Sequence, residues 1–573
     1  MAGVRVPEAV ERVAGSVRRV APGAQPGKLL LELDLTHGLA AAPPPDLLGR
    51  LQTARGLTLT TVLERLAEAA DDPAVVGLVA KVGGGGLRLA QAQEIALAVR
   101  AFRLNGKRAW GWAETFGEGG PGTPGYVLAA AFDEVWLQPS GDVGITGVAV
   151  EPLFLRGALE RAGIEPQFGQ RYEYKNAADM LLRRDFSDAH REASERLAAS
   201  ALEQVVTDVA GNRGLAPAGV RELVDRAPLS AAEALDAGLV DRLGYRHEVY
   251  EAARAVVGED ASLRFLSAYH RKLPPIETIR RRRAGRGRGV VALVHAVGEI
   301  RLGRSGRGLR GPALGSDTLG AALRAAADDE HVRAVLLRVD SPGGSYVASD
   351  AVWGAVQAVR AAGKAVVVSM GAVAGSGGYF IAAPADAIVA LPTTLTGSIG
   401  VFGGKPVVAD LLERLGVGND AVTAGRHARM FSARARYSDD EWQRLQESLD
   451  RIYDDFTGKV AAGRGMERER VHEIARGRVW TGADAHDRGL VDELGGLRRA
   501  VELARERAGL PYDTPVRPFP QVPLVRRLRR PTSSEDPAAA AVAGPVPGSL
   551  GELASSLGLT SGAALLMPSL ELH

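Results

Sequence analysis

The stretch GYFIAAPADAIVALPTTLTGSIGVFG, residues 378–403, decides the fold, because the chain contains it twice. Its counterpart is GYVLAAAFDEVWLQPSGDVGITGVAV, residues 125–150, at an offset of 378 − 125 = 253 positions. Flanking segments match at similar offsets: DDPAVVGLVAKVGGGG from Asp71 with DDEHVRAVLLRVDSPG from Asp328, and AAEALDAGLVDRLG from Ala231 with GADAHDRGLVDELG from Gly482. Such self-similarity indicates a tandem duplication, and each copy is long enough to form a domain.

Each copy alternates short β-branched runs with segments of helical spacing. In the second copy, GVVALVHAVG, VRAVLLRVD, KAVVVSM and DAIVALP are bounded by Gly, Pro or Asp and predict strands. Between them, SDAVWGAVQAVRAAG has apolar residues at helical spacing and ends in Gly. Alternating strands and helices predict βαβ units, so the expected fold class is α/β with a mostly parallel sheet in each repeat.

The repeats and the composition between them predict the domain organisation. The expected order is an N-terminal extension (1–27), an N-terminal repeat domain (28–250), a basic connector (251–288), a C-terminal repeat domain (289–510) and a disordered Pro/Ala-rich tail (511–573). Within the tail, the last stretch, GELASSLGLTSGAALLMPSLELH, has the spacing of a weak amphipathic helix.

Composition excludes several functional classes. A net charge of +2 argues against a dedicated nucleic-acid-binding protein, and the absence of cysteine excludes disulfides, thiolate catalysis and zinc-thiolate sites. The sequence shows neither the apolar core of a signal peptide nor an apolar run of about 18 residues. A cytoplasmic protein is therefore expected, with the arginine cluster Arg280–Arg288 as a point of peripheral contact with anionic lipid.

The segment GAVAGSGGYFIA, residues 371–382, places one serine among glycines. Ser376 is a candidate nucleophile, and the N–H of Gly377 is a natural donor to an oxyanion. A second donor is expected from Gly343 or Gly344, in the glycine turn VDSPGGS that comes after a predicted strand. Each of these motifs, taken alone, also suits an ordinary structural turn.

In combination, DSPGGS, AGSGGYF and LTGSIGVFGGKP resemble the signal peptide peptidase A family of serine proteases, in its long two-domain bacterial form. The resemblance implies domains similar to crotonases and the caseinolytic protease, a Ser–Lys dyad without cofactor or metal, a homotetramer, and apolar peptide substrates such as cleaved signal peptides. By position, Ser376 matches the nucleophile, Lys175 in RYEYKNAADM matches the base, and Ser398 in TGSIG matches the residue that hydrogen-bonds the lysine.

The repeat offset supports the same pairing independently. Lysine 175 corresponds to position 428 of the second copy, which is Ala428, and serine 376 corresponds to position 123 of the first, which is Thr123. The counterpart of Ser398 is Ile145. The first copy thus has the lysine but neither serine, and the second copy has both serines but not the lysine. This pattern predicts one composite site rather than two independent ones.

Several alternatives accompany this prediction. Lys175 can act as a base only if its environment lowers its pKa, and Arg171 is a nearby charge that could contribute. His427 and His295 are the competing candidate bases, although no partnered acid is visible for either. Two other functions are open: a crotonase-like acyl-CoA enzyme that uses the oxyanion donors without a nucleophile, and a non-catalytic scaffold at the membrane face.

Overall fold

The computed structural model describes residues 27–42, 57–118, 120–271, 289–308, 311–520 and 562–568. The predicted N-terminal extension (1–27) and the cluster Arg280–Arg288 lie outside the described residues, except for residue 27. The described strands are β1 Leu29–Asp34, β2 Val75–Lys81, β3 Arg108–Ala113, β4 Glu134–Leu137, β5 Asp142–Val143, β6 Glu165–Arg171, β7 Leu229–Ser230, β8 Arg242–Leu243, β9 Ser262–Phe265, β10 Val290–Val297, β11 Glu299–Arg301, β12 Gly306–Gly308, β13 Gly311–Gly315, β14 Val332–Ser341, β15 Gly343–Ser345, β16 Ala365–Gly375, β17 Ala387–Ala390, β18 Leu395–Gly397, β19 Val401–Val407, β20 Val479–Thr481, β21 Glu493–Leu494, β22 Val516–Pro518 and β23 Gly562–Leu566.

Helices lie between these strands. They are α1 Leu59–Ala70, α2 Leu89–Leu104, α3 Thr123–Ala129, α4 Arg156–Ala162, α5 Asp179–Leu182, α6 Asp188–Arg213, α7 Pro217–Arg226, α8 Ala231–Asp236, α9 Arg246–Val257, α10 Ser316–Asp328, α11 Tyr346–Ala361, α12 Gly377–Ala382, α13 Ala409–Arg414, α14 Asp439–Arg464, α15 Arg468–Ile474, α16 Gly482–Asp487 and α17 Leu497–Arg507.

The duplication is visible in the order of the strands. The first half forms a parallel sheet in the order β8-β4-β3-β2-β1-β9. The second half repeats this order as β21-β17-β16-β14-β10-β22, again with parallel pairing throughout. Helices pack on these sheets, as buried parallel sheets require. The predicted α/β class with mostly parallel sheets is confirmed.

The predicted strands of the second half are buried along almost their whole length. β14 and β16 consist mostly of apolar residues, and nearly all of their residues are buried, which suits strands covered on both faces. The long helix α14 begins with a capping box: Ser438 Oγ accepts a hydrogen bond from the Glu441 N–H, and the Glu441 carboxylate accepts one from the Ser438 N–H. Local sequence signals and tertiary burial therefore agree here.

A third sheet joins the two halves. Its order is β12-β13-β11-β15-β23-β19-β6, and β6 of the first half pairs antiparallel with β19 of the second from Arg171↔Val401 to Glu165↔Val407. Because backbone hydrogen bonds fix the register of this pair, they also hold the turn after β6 in place against the second half. This sheet positions the candidate site.

A buried ion pair reinforces the contact between the halves. Glu94 on α2 and Arg338 on β14 are 2% exposed each, and their side chains form two hydrogen bonds of 2.9 and 2.5 Å. Glu94 also accepts from the backbone N–H of Leu497 at 2.7 Å. Both charges are thus paired and hydrogen-bonded, the condition for burying them.

Two predicted segments differ from the structure. The predicted connector 251–288 starts inside the first half, since α9 continues to Val257 and β9 pairs in parallel with β1. The predicted disordered tail includes β22, which pairs with β10, and β23, which lies within the third sheet where a weak helix was the alternative. Short strands of this kind depend on the open edges of neighbouring strands, which no local pattern reveals.

No helix within the described ranges is both long and apolar enough to cross a membrane.

Candidate active site

Two serines meet because each comes at the end of one of two neighbouring strands. Ser376 comes directly after β16 and Ser398 directly after β18, and these strands pair in parallel with Gly375 opposite Gly397. The backbone N–H of Ser376 donates to the Gly397 carbonyl at 2.8 Å. The register of the sheet therefore brings the two hydroxyl groups to the same edge.

Both serines have unusual backbone conformations. Ser376 has a φ of 53° and Ser398 a φ of 50°; Arg476, at 53°, is the remaining described non-glycine residue with positive φ. Such conformations are costly for residues with a Cβ, and they persist where the surrounding structure enforces them, often at functional sites. All three residues border the candidate site.

Lys175 reaches the serines from the first half. It lies in the turn after β6, where the N–H groups of Tyr172 and Tyr174 both donate to the Arg476 carbonyl at 3.3 and 3.2 Å. Gly477 permits this approach: a Cβ on that residue would lie 2.6 Å from Lys175 Cβ. A short segment of the second half thus holds the lysine-bearing turn.

The Lys175 amine is surrounded by serine oxygens. Its Nζ lies 2.8 Å from Ser376 Oγ, 2.9 Å from Ser398 Oγ and 2.9 Å from the Ser398 carbonyl oxygen. All three residues are 0% exposed. Burial without a neutralising carboxylate lowers the pKa of the Lys175 ammonium well below its ordinary value.

This arrangement suits a neutral amine. Removing one proton from the ammonium leaves two N–H donors and one lone pair. The two donors match the two oxygens of Ser398, and the lone pair is then free to accept the hydroxyl proton of Ser376. Lys175 and Ser376 together have the geometry of a general base and its nucleophile.

Arg171 does not supply the expected repulsive charge. Its guanidinium pairs with Asp450 on α14 at 2.5 and 3.0 Å and donates to Gln446 at 2.9 Å. The positive charge of Arg171 is therefore paired with the Asp450 carboxylate on α14. Desolvation alone accounts for the lowered pKa of Lys175.

The predicted glycines lie beside the nucleophile. Gly377 is the first residue of α12, so its N–H has no partner within the helix. A Cβ on Gly377 would lie 3.1 Å from Gly343 Cα and 3.1 Å from Gly344 N, which shows how closely the two glycine turns approach. Gly343 N–H donates to Ser341 Oγ at 3.2 Å, so that donor is already engaged.

The two histidines lie in other environments. His427 Nε2 faces Asp440 at 3.2 Å on a partly exposed surface. His295 lies in β10, where burial and the Arg338 charge lower its pKa to about 4. Neither is a described hydrogen-bond partner of Ser376.

Two features of the site are not predictable from the motifs. Gly477, in the sequence ARGRVW, carries no motif, and its importance appears only once Lys175 packs on it. Met567 lies in the predicted tail, yet it is 2% exposed and packs on Gly375, the residue before the nucleophile. The roles of Gly477 and Met567 in the site depend on contacts with residues far away in the sequence.

A buried serine hydroxyl within hydrogen-bond distance of a buried amine, on an α/β fold, suits a serine hydrolase. Comparison with known proteins gives the class. Residues 102–259 and 358–511 match the model of peptidase family S49. The chain is a serine peptidase and belongs to that family, with two tandem S49 domains. The predicted fold class and family are confirmed.

Similar proteins cover most of the chain. It is 30% identical to "Serine protease SPPA, chloroplastic" of Arabidopsis thaliana, over 84% of this chain and 69% of that protein. It is 34% identical to "Protease 4" of Salmonella typhi, over 79% of this chain and 72% of that protein. A ClpP1 mutant of Listeria monocytogenes matches 38% of this chain and 97% of its own, at 15% identity and a TM-score of 0.24, too low to bear on the fold.

Proposed function

We propose that the protein is an endopeptidase with a Ser376–Lys175 dyad. The observation that carries the proposal is the 2.8 Å separation of Lys175 Nζ and Ser376 Oγ in a site without solvent exposure. Lys175 accepts the hydroxyl proton while Ser376 Oγ attacks the scissile carbonyl. The resulting ammonium then gives that proton to the leaving amine, and an acyl-enzyme remains.

Deacylation reverses the roles with water. The neutral amine of Lys175 takes a proton from a water molecule, whose oxygen attacks the ester carbonyl. When the tetrahedral intermediate collapses, the ammonium returns its proton to Ser376 Oγ. Ser398 acts as a positioning residue, since its two oxygens hold the amine so that the lone pair faces Ser376.

The oxyanion is stabilised by backbone donors. Gly377 N–H is the first, and the second comes from the adjacent turn, where Gly343 or Gly344 supplies the N–H. Gly343 N–H must then release Ser341 Oγ as the charge develops. Loss of one such donor typically raises the barrier by about 3–4 kcal/mol.

The proposed substrates are extended apolar peptides, including cleaved signal peptides. They would bind by adding a strand to the sheet beside the nucleophile, so that backbone hydrogen bonds give affinity and side-chain pockets give specificity. One similar protein, from Enterococcus faecium, is named "Putative signal peptide peptidase SppA" and is 34% identical over 33% of this chain.

The proposal also includes a homotetramer and peripheral contact with lipid. Sedimentation measures the oligomeric state, and flotation with anionic vesicles measures the lipid contact.

The dyad is tested with Ser376→Ala and Lys175→Ala on an apolar peptide substrate. Each variant is expected to lose activity by at least about 10³-fold, since the members of a catalytic unit act together. Recovery on mixing the two variants would show a site shared between chains. Full activity of either variant would overturn the dyad.

Covalent labelling separates the peptidase from the crotonase-like alternative. A peptide phosphonate should label the wild-type protein at Ser376, and labelling should be lost in Ser376→Ala. Ser200→Ala is the matched control, because Ser200 is a buried serine whose hydroxyl contacts Thr481 rather than Lys175. An unlabelled wild-type protein would contradict the nucleophilic mechanism.

A further inference from the structure

Arg478 is attached to the strand that positions Ser398. Its carbonyl oxygen accepts the backbone N–H of Ser398 at 2.7 Å. The next residue, Val479, begins β20, which pairs antiparallel with β18 and places Val479 opposite Gly397. The backbone of Arg478 therefore supports Ser398, whose two oxygens contact the Lys175 amine.

The side chain of Arg478 extends to the first half of the chain. Its Cζ lies 4.5 Å from the centroid of the Tyr174 ring, and Tyr174 directly precedes Lys175. The same guanidinium pairs with one carboxylate oxygen of Glu192 on α6, and the Tyr174 hydroxyl donates to the other oxygen at 2.8 Å. Tyr174 is thus held at its ring by a cation and at its hydroxyl by a carboxylate.

The backbone alone holds the lysine-bearing turn by long hydrogen bonds. The pairing of β6 with β19 ends at Arg171, so the residues that follow lie outside the strand ladder. Tyr172 and Tyr174 both donate to the single carbonyl of Arg476, at 3.3 and 3.2 Å, which are long distances for N–H···O bonds. The side chain of Tyr174 therefore supplies an attachment that these backbone bonds do not.

The contact is shielded more than an ion pair on an open surface, where such pairs contribute little. The Arg478 side chain is 15% exposed, and its Cζ also lies 4.6 Å from the centroid of the Trp480 ring. Desolvation acts to raise the pKa of Glu192, but the hydrogen bonds from Tyr174 and Arg478 outweigh it and lower that pKa. The carboxylate is therefore ionised at neutral pH and available to the guanidinium.

The duplication places this contact only where the lysine meets the serines. The repeats around it align at an offset of 482 − 231 = 251, and at 253 near Lys175. Each of its three side chains differs in type from its counterpart in the other copy: Ala227 corresponds to Arg478, Gln443 to Glu192 and His427 to Tyr174. The guanidinium, the carboxylate and the phenol thus follow the same division between the copies as the proposed dyad.

We propose that Arg478 is a positioning residue for the Ser376–Lys175 dyad. Its carbonyl holds Ser398, which orients the amine, and its guanidinium holds the turn that carries the amine. One residue therefore fixes both the lysine-bearing turn and the acceptors that the lysine meets. The inference rests on the proposed function and extends it to a side chain that contacts Tyr174 and Glu192 rather than the reacting atoms.

Arg478→Met tests the inference, because it keeps the backbone contact with Ser398 and removes the guanidinium. Since displacement of a catalytic group by about 1 Å can cost about 10²-fold, kcat should fall by roughly 10- to 100-fold. KM should change by less than about twofold, because the variant displaces the base rather than the bound peptide. Steady-state kinetics on an apolar peptide with blocked ends measure both. A rise in KM with kcat unchanged would overturn the inference.

Arg488→Met is the matched control. Arg488 Cζ lies 3.8 Å from the centroid of the same Trp480 ring, and its guanidinium pairs with Asp484 at 3.4 Å. Among the described contacts, none joins it to Tyr174 or Glu192. The control should keep kcat and KM within about twofold of the wild-type values. Equal losses of kcat in the two variants would show a merely structural effect and overturn the inference.

Glu192→Gln tests the same contact from the first half. The Glu192 side chain is 53% exposed, so the variant should fold, and it removes the charge that pairs with Arg478. We expect kcat to fall by roughly 3- to 10-fold. The double variant should lose about as much as Arg478→Met alone, because the two side chains act through one contact. A loss equal to the product of the single losses would show that they act independently, against the inference.

Hydrogen exchange separates the inference from the dyad itself. Measured by mass spectrometry, the backbone amides of residues 172–176 should exchange roughly tenfold faster in Arg478→Met than in Arg488→Met. This readout does not depend on which residue is the nucleophile. Unchanged exchange would overturn the inference even if Ser376→Ala and Lys175→Ala abolish activity. Full activity of those alanine variants would overturn the proposed function, while faster exchange would still show that Arg478 holds the turn.

Discussion

Lys175 and Ser376 are 201 positions apart in the chain, and their Nζ and Oγ atoms lie 2.8 Å apart in the fold. Their contact depends on the pairing of β6 with β19 and on the parallel register of β16 with β18. The lysine also lacks a carboxylate neighbour among its described contacts, so its proton affinity is set by burial. Both relationships have consequences that can be measured.

The first prediction concerns pH. The proposed base must be neutral, so kcat/KM should rise with pH as Lys175 loses its proton and reach a plateau above its pKa. Because burial lowers that pKa well below the ordinary 10.5, the rise should lie well below pH 10.5. The measurement is a pH profile on a peptide with blocked ends and no titratable side chain. A rise centred near pH 10.5 would contradict the assignment.

The second prediction concerns Ser398. Ser398→Ala removes one oxygen that accepts from the Lys175 amine, and the loss of a buried hydrogen bond of about 1–3 kcal/mol should lower kcat/KM roughly 5- to 150-fold. Acceptors favour the ammonium, so their loss should also move the pH profile to lower pH. Ser200→Ala, which removes a buried hydroxyl away from Lys175, should change neither quantity.

The third prediction concerns Gly477. Its φ is +89°, and a Cβ there would lie 2.5–2.6 Å from backbone and Cβ atoms of Lys175. Gly477→Ala should displace the lysine and lower kcat by about 10²-fold, as misplacement by about 1 Å can do. Gly465→Ala is the matched control, because Gly465 also has positive φ (+61°) but has no atom within 4 Å of such a Cβ. Equal losses in both variants would attribute the effect to backbone strain alone.

The fourth prediction concerns the buried pair Glu94–Arg338. Glu94→Gln leaves the Arg338 charge buried without its partner, and the free energy of unfolding should fall by about 3–5 kcal/mol. Urea denaturation measures this. Glu502→Gln removes a surface carboxylate that pairs with Arg498 (i,i+4) and Arg499 (i,i+3), and it should cost at most about 1 kcal/mol. A similar small effect for Glu94→Gln would show that the pair does not stabilise the contact between the halves.

The sequence was sufficient to predict the features that local patterns and the duplication encode. The β-branched runs predicted β10, β14, β16 and β17. The offset of 253 pointed to a composite site, because Ala428 and Thr123 stand where the other copy has its lysine and serine. The structure places Lys175, Ser376 and Ser398 together.

Other features depend on contacts that no short pattern contains. Gly477 acts through its packing on Lys175, and Arg171 contributes no repulsion because Asp450, far along the chain, neutralises it. The strand β23 forms because two open strand edges accept it, although its own sequence is Ala- and Leu-rich and equally suited to a helix. In each of these cases, contacts between residues far apart in the sequence determine the local structure.

The split of the proposed dyad between the two halves also has a consequence for biosynthesis. The ribosome makes the lysine half first, and a nascent chain that ends before residue 376 contains the amine but no nucleophile. Such a chain cannot hydrolyse a peptide bond by this mechanism. If the proposed dyad is correct, proteolytic competence arises late in translation, once the second repeat has emerged and docked on the first, and a ribosome that stalls early releases an inert product.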